Sequence, residues 1–361
     1  MKFVDLFAGC GGMSLGFEMA GFKNISAVEM DSQAAETYKA NRVGKKPPIV
    51  ADIRDLSPFD LGITGLSNLM LVGGPPCQGL SLAGNRDPKD PRNSLFMEFL
   101  RIADNSSFSC FVAENVKGIL SMKTAKGEPL TEIILSEASK CGYNTKIWVL
   151  NAHEFAVPQS RTRVFFVGTR ENREIYRPEP VLSRWSVWDA ISDLPEIEAG
   201  SGTDFQEYPS QPSNLYQRWA RSDSKGVFNH IAMRHTKRLI ERFKAIQQGN
   251  GVGSVSEEHS QRKRGDASCI SGKVFSQNNY RVFPDKPCPT IAASFQSNFI
   301  HPYKDRNFTA REAARMQSFP DRYVFKGKRT KMSWEKGLSQ YQQIGNAVPP
   351  LLAKAIAESF L

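Results

Sequence analysis

The sequence predicts an α/β protein, built as a mixed sheet flanked by helices and joined to a smaller loop-rich domain. Three observations predict it. Short apolar runs alternate with amphipathic stretches through the first half, the rhythm of βαβ units. Ile147–Leu150 and Arg163–Gly168 then read as a later antiparallel pair, which makes the sheet mixed. From about Arg177 the pattern breaks: Pro178, Pro180, Pro195, Pro209 and Pro212, with Gly200-Ser201-Gly202, mark a loop-rich boundary.

Each element has its own signal. Lys2–Phe7 is an apolar run that reads as a buried strand, and Gly9-Cys10-Gly11-Gly12 reads as a tight loop after it. Ser14–Ala20 reads as a helix stopped by Gly21, Ile25–Glu29 as a second strand, and Ser32–Asn41 as a second helix. Asn68–Val72 runs into Gly73-Gly74-Pro75-Pro76, and Phe108–Ala113 ends in Glu114-Asn115. In the second half, Ile231, Leu239, Ile240, Phe243 and Ile246 predict one long helix over about His230–Gln248. Gly249–Gly272 reads as exposed loops, and Ala310–Gln317 and Pro350–Phe360 as helices.

Composition narrows the class. The chain has 361 residues, 40% of them hydrophobic and 23% charged, a globular average that excludes a disordered or fibrous protein. No apolar run reaches the ~18 residues of a membrane helix. The opening Met1–Leu6 meets an acid at its fifth residue and does not read as a secretory signal. The six cysteines show no CxxC pair and no histidine at metal spacing, so neither a metal site nor a disulfide framework is expected, and a reducing cytoplasm is. Net charge is 47 − 37 = +10, but it is uneven. Residues 1–183 carry 21 − 20 = +1, whereas 218–331 carry 23 − 9 = +14. A near-neutral half joined to a basic one predicts that the basic part faces a polyanion.

The chemistry-bearing residues sit just past strand C-termini, where open α/β sheets bind ligands. Gly9–Gly12 lacks the Gly-Lys-Ser/Thr of a P-loop and the full GxGxxG spacing. Glu29, twenty residues after Gly9, is placed to accept two ribose hydroxyls, and Asp52 to accept from an adenine amino group. A nucleoside-bearing cofactor fits these features. Cys77 follows a strand on a backbone stiffened by Pro75 and Pro76, a setting that suits an activated nucleophile. The loop after it, Gly79–Arg92, holds Arg86, Lys89 and Arg92, which can touch phosphates. Glu114 closes an apolar strand, and Arg161 and Arg163, at i and i+2, are expected to face one side.

These blocks, in this order, resemble the cytosine-C5 DNA methyltransferases of prokaryotic restriction–modification systems. The resemblance rests on DLFAGCGG at 5–12, PPCQ at 75–78, DPRNSLF at 90–96 and ENV at 114–116. VPQSRTRVFFVG at 157–168, PTIAASF at 289–295, REAARMQSFPD at 311–321 and IGNAVPP at 344–350 continue it, leaving only about 184–280 without a motif. It implies a Rossmann-like, S-adenosylmethionine-dependent catalytic domain over 1–183 with 336–361. A target-recognition domain over 184–308 and a hinge over 309–335 complete the expected organisation. It places Phe7, Gly9, Gly11, Gly12, Glu29, Met30, Asp52, Ile53, Pro76, Leu95, Asn346 and Ala347 at the cofactor, S-adenosyl-L-methionine, with S-adenosyl-L-homocysteine as product and no metal.

The implied reaction explains these residue types. Cytosine C5 is too weak a nucleophile to take a methyl group directly, so Cys77 adds to C6 and makes C5 enamine-like. Glu114 would hydrogen-bond N3 and the exocyclic amine, Arg163 would hold Glu114 and the base O2, and Arg161 would support the site electrostatically. The base must leave the duplex stack for this to happen. Ser81, Arg86, Arg92, Gln159, Arg262, Arg264 and Arg281 are the expected DNA-contacting residues, with Arg262, Arg264 and Arg281 reading guanine edges. In the loop after PPCQ, Ala83 stands where family members often carry a polar residue, which leaves the side chain that fills the vacated stack unassigned. The implied partner is double-stranded DNA, with no membrane and a monomeric chain, and functional pairing with a restriction endonuclease is open. Three other readings stay open at this point: a tRNA cytosine methyltransferase, a DNA-binding relative without catalysis, and a nicotinamide oxidoreductase.

Overall fold

The computed structural model describes residues 1–76, 94–124, 127–170, 174–263, 265–272, 278–331 and 334–361. Two compact units divide the chain. The first comprises Met1–Phe155, Thr162–Leu182 and Ala347–Leu361, and the second Ala156–Arg161 and Ser183–Asn346. The segment 309–335, expected as a hinge, and the following 336–346 both lie inside the second unit.

The first unit is a six-stranded sheet in the order β2-β1-β3-β4-β6-β5. Its strands are β1 (Lys2–Leu6), β2 (Lys23–Val28), β3 (Leu69–Gly73), β4 (Phe108–Val116), β5 (Asn144–Asn151) and β6 (Thr162–Thr169). β2, β1, β3 and β4 run parallel, while β6 lies antiparallel between β4 and β5, so the sheet is mixed. The parallel strands are buried on both faces, which is why β3 reads Leu69-Met70-Leu71-Val72-Gly73 without alternation. Helices α1 (Gly12–Met19), α2 (Ser32–Ala40), α3 (Ser94–Ala103) and α4 (Leu130–Lys140) complete it, together with the C-terminal helix Pro350–Glu358. A Cβ on Gly16 of α1 would stand 2.4 Å from Pro350 O, so only glycine admits the C-terminal helix this closely. The chain leaves β1 toward β2 on one side and returns to β3 on the other. The carboxyl ends of β1 and β3 therefore flank the switch point where such sheets take their ligands.

The second unit has little sheet. Its described residues hold three two-stranded pairs: β7 (Phe205–Glu207) with β8 (Gly226–Phe228), β9 (Arg262–Lys263) with β10 (Asp266–Ile270), and β11 (Tyr280–Arg281) with β12 (Phe299–Ile300). The helices are α5 (Val187–Ile191), α6 (Leu215–Ala220), α7 (Lys237–Ala245), α8 (Ala310–Met316) and α9 (Gln340–Asn346). Part of its core is ionic. Arg315, fully buried, donates to Asp193 and Asp321, and Arg306 forks onto Glu312 at 2.7 and 2.8 Å. Charges buried this way are tolerated because each is paired and further hydrogen-bonded. Five of the 23 bases in 218–331 are thus internal: Arg242, Arg281, Arg306, Arg311 and Arg315 are all buried.

The long helix expected over 230–248 is shorter, Lys237–Ala245. Thr236 caps it by accepting from Leu239 N, and the buried His230 is held off the helix by Thr309 Oγ1 and Pro195 O. Gly249–Gly272, expected as loops, includes 3-10 turns at Val252–Ser254 and Glu257–His259 as well as β9 and β10. Among the described residues no helix is long and apolar enough to cross a membrane.

Candidate active site

The turn after β1 is the first part of the site. Phe7, Gly9 and Gly11 have φ of +58°, +56° and +91°, and the phenylalanine is the costly one, because only glycine enters this region freely. The turn is closed by Gly11 N donating to Ala8 O at 2.8 Å and tied to β2 by Ala8 N donating to Val28 O at 2.9 Å. Gly12 opens α1, with Gly11 as its N-cap. Among the described residues a Cβ on Gly9 would meet nothing within 4 Å, so they leave the outer side of the turn open.

Glu29 closes the turn from the end of β2. Its Oε2 accepts from Gly9 N at 2.7 Å and its Oε1 from Asp31 N at 2.7 Å. Burial pushes this carboxyl above its ordinary range, against the pull of those two N–H groups. A carboxylate has about four lone-pair sites, so each oxygen can still accept from a hydroxyl. Met30 beside it and Val50 are both exposed, with Glu29 N bonded to Ile49 O between them. Asp52 is engaged differently from the expectation: Arg54 forks onto it, with Nε to Oδ1 at 3.0 Å and Nη2 to Oδ2 at 2.5 Å. That guanidinium holds the Asp52 carboxyl below the usual range. Ile53 after it is buried, and Pro76 and Leu95 are half-buried. Asn346 ends α9 in the second unit, exposed, and Ala347 opens the last segment of the first.

The second part lies at the ends of β3 and β4. Register puts Gly73 beside Ala113, so the Gly74–Pro76 segment leaves β3 next to Glu114, which stays in β4. Asn115 Nδ2 donates to Pro75 O at 3.1 Å and fixes that segment. A Cβ on Gly74 would come within 3.3 Å of Glu114 Oε2, so the glycine spares that oxygen a crowding side chain. On the other side, Val116 pairs with Arg163 across β4 and β6. Glu114 and Arg163 are then diagonal neighbours on one face, and Arg163 Nε meets Glu114 Oε1 at 2.9 Å.

Cys77 itself, with Ser81, Arg86, Arg92 and Arg264, lies outside the described residues. Several other expected residues take unexpected places. Arg161 does not join Arg163: it is buried in the second unit and donates to Ile291 O at 2.6 Å and Gly345 O at 3.0 Å. The i, i+2 rule presumes a strand at both residues, and β6 begins only at Thr162. Gln159, expected at DNA, is fully buried; its amide donates to Met316 O and Gln317 Oε1 and accepts from Ile291 N. Arg281, expected to read a base, is buried with all five N–H groups committed, to Ile246 O, His301 O, Lys304 O, Phe243 O and Asp305 Oδ1. Nothing of that guanidinium is left for a base edge. Arg262 is only half-buried and gives two N–H groups to Glu257 O and Ser268 O.

The profile of the family described as C-5 cytosine-specific DNA methylase matches residues 1–361. The chain is 58% identical to the type II methyltransferase M.DdeI of Desulfomicrobium norvegicum, covering 99% of this chain and 88% of that one. It is 35% identical to the type II methyltransferase M1.HphI of Haemophilus parahaemolyticus, over 100% and 87% of the two chains. Among solved structures, a DNA modification methyltransferase encoded within an E. coli prophage superposes with a TM-score of 0.77 at 25% identity, covering 100% of this chain and 98% of that one.

Proposed function

We propose, from the premise that this chain belongs to the C-5 cytosine-specific DNA methylase family, that it is the modification enzyme of a type II restriction–modification system. The enzyme class follows from the family: a DNA (cytosine-5-)-methyltransferase. The finer reading is that it flips a cytosine out of double-stranded DNA and attacks it covalently through Cys77. The observation that carries this reading is Glu114, held by Arg163 at 2.9 Å with its other oxygen beside the Gly74–Pro76 segment that leads into Cys77.

The residues present fit S-adenosylmethionine. The open face over Gly9, the spare lone pairs of Glu29 and the exposed apolar side chains of Met30 and Val50 suit a nucleoside. Phe7, Gly9, Gly11, Gly12, Glu29 and Ile53 would hold it. When bound, S-adenosylmethionine supplies an electrophilic methyl group on a sulfonium and leaves as S-adenosylhomocysteine.

The chain's own part in the reaction is addition and elimination. The Cys77 thiolate forms a bond to C6, and the electron pair of the C5–C6 double bond moves toward N3 and C5. Glu114, aimed by Arg163, donates the proton of its carboxyl to N3 and accepts from the exocyclic amine, which neutralises that charge. After methylation a water molecule takes the C5 proton, the C5–H electron pair re-forms the C5–C6 double bond, and the Cys77 sulfur leaves as thiolate. The chain acts on DNA as a monomer in the cytoplasm, alongside an endonuclease that cuts the same sequence unmethylated.

The test is transfer of a labelled methyl group to duplex DNA and to tRNA, with bisulfite sequencing of the DNA product. Label at one cytosine of a fixed DNA sequence is expected; label in tRNA alone would overturn the reading.

A further inference from the structure

Behind the glycine turn lies a connected group of polar side chains that the reaction does not use. Asp5, on β1, is 1% exposed. Ser14 Oγ, in the first turn of α1, donates to Asp5 Oδ2 at 2.5 Å and lies 2.9 Å from Tyr38 Oη. Ser14 and Tyr38 are both fully buried. The Arg42 guanidinium, just past α2, stacks 3.9 Å from the Tyr38 ring centroid. Arg42 also reaches the turn itself, donating through Nη2 to Gly11 O at 3.3 Å. Glu18 balances it, with Oε2 3.3 Å from Arg42 Nε.

We propose that Asp5, Ser14, Tyr38 and Arg42 are positioning residues that hold the Phe7–Gly12 turn in the form that receives the cofactor, with the Arg42 hold on the Gly11 carbonyl as the outermost link. This rests on reading Gly9–Gly12 as the cofactor turn.

Three observations carry it. The turn contains Phe7 at φ +58° between strand and helix, a conformation that persists only where the surroundings over-determine it. The network supplies that determination at both ends of the turn. Asp5 stands two residues before Phe7, while Ser14 and Gly11 belong to the first turn of α1 and its cap. Finally, among the described residues Asp5 has no cation in direct contact; a carboxyl buried this way is costly, and an apolar residue in β1 would be more stable. Burial lifts Asp5 to about 7, opposed by the Ser14 hydrogen bond and by Arg42 and reinforced by the Glu29 charge. A fold that retains this group uses it to fix something, and what it touches is the start of α1. Arg42 argues the same way, since a buried guanidinium spends one donor on a carbonyl that Leu15 N already satisfies at 2.9 Å.

The experiment is calorimetric titration of the full chain with S-adenosylhomocysteine. Arg42→Met keeps the stem against Tyr38 and removes the donor. It is expected to weaken binding about tenfold, the weight of one charge-assisted hydrogen bond. Its kcat at saturating cofactor and its DNA affinity should match wild type, and Arg42→Lys should restore part of the loss. Tyr38→Phe, which removes one hydroxyl, should weaken binding roughly threefold. Wild-type affinity in Arg42→Met overturns the proposal, even if that variant melts earlier, because a purely structural arginine moves Tm and not Kd. Should Arg42→Met not fold, Tyr38→Phe and Ser14→Ala decide by the same measure. No binding by the wild type would instead remove the reading of the turn on which the proposal stands.

Discussion

Arg163 Nε lies 2.9 Å from Glu114 Oε1, and both side chains are 12% exposed. The pair joins the carboxyl end of β4 to the entry of β6, and its second carboxylate oxygen points where Gly74 leaves room. An acid held this way aims one oxygen in a fixed direction, so that a proton on it can be given to a pyrimidine nitrogen where negative charge develops. Glu114→Gln is therefore expected to lower the single-turnover methylation rate by about 10²-fold and Glu114→Ala by about 10³-fold. Arg163→Ala should fall in the same range, and the double variant should be no slower than Glu114→Ala alone, because the two act as one unit. Additive losses would mean that Arg163 works independently.

Cys77→Ser should abolish turnover while leaving the affinities for DNA and S-adenosylhomocysteine within about twofold of wild type, because only bond formation at C6 needs the thiolate. DNA with 5-fluorocytosine at the target should trap the wild-type chain as a denaturation-resistant adduct, since the C5 substituent cannot leave as a proton. Turnover by Cys77→Ser near wild-type rate would exclude the covalent route.

The sheet and its glycine turn are legible because they depend on local signals. An unbroken apolar run makes β3 a two-sided buried strand, and glycines mark the turn at Gly9–Gly11 whose φ is positive. The exposed-looking polar residues were not legible, because burial depends on partners far along the chain. Gln159 reads as a surface amide until Met316 and Gln317 close over it, and Arg281 reads as a DNA contact until Phe243, Ile246 and Asp305 surround it. The overlong helix at 230–248 arose the same way: apolar periodicity continued past Thr236, whose capping role was the available stop signal. Asp5 was missed, although a lone acid in the buried strand Lys2-Phe3-Val4-Asp5-Leu6 is itself a signal that a partner must be found.

Asp5 gives the fold a pH dependence with a definite sign. Its carboxyl is raised from 3.8 to about 7 by burial, with Glu29 adding to the rise and Ser14 and Arg42 opposing it. A raised pKa means that the folded state binds the proton more tightly than the unfolded chain. The stabilisation is complete below the unfolded value and is lost as pH rises through the folded one. Stability should thus fall by about 1 kcal/mol per pH unit between pH 5 and 7 from this group. Denaturant titrations of wild type and Asp5→Asn at pH 5, 6, 7 and 8 check it. The difference between the two should change with pH between 5 and 7; a difference that stays constant over that range would mean that Asp5 ionises at its ordinary value.

The last prediction separates arginines that build the second unit from those that meet DNA. Arg281→Ala leaves four carbonyls and Asp305 without their donor inside the unit, and should cost about 3–5 kcal/mol of stability. Any protein that stays folded should keep its sequence preference unchanged. Arg262 is the opposite case. It is half-buried, gives two of five N–H groups to carbonyls at 3.0 and 3.4 Å, and among the described residues has no carboxylate within ion-pair distance. Its remaining donors suit the forked edge of guanine, so Arg262→Ala should leave Tm nearly unchanged and relax preference at one position, a discrimination worth ~1–3 kcal/mol. Methylation of a randomised-site DNA library by each variant, with sequencing of the modified cytosines, reads this directly. Unchanged preference together with a salt dependence flatter by about one unit of slope would assign Arg262 to a phosphate, and the reading of the target sequence to other loops of the second unit.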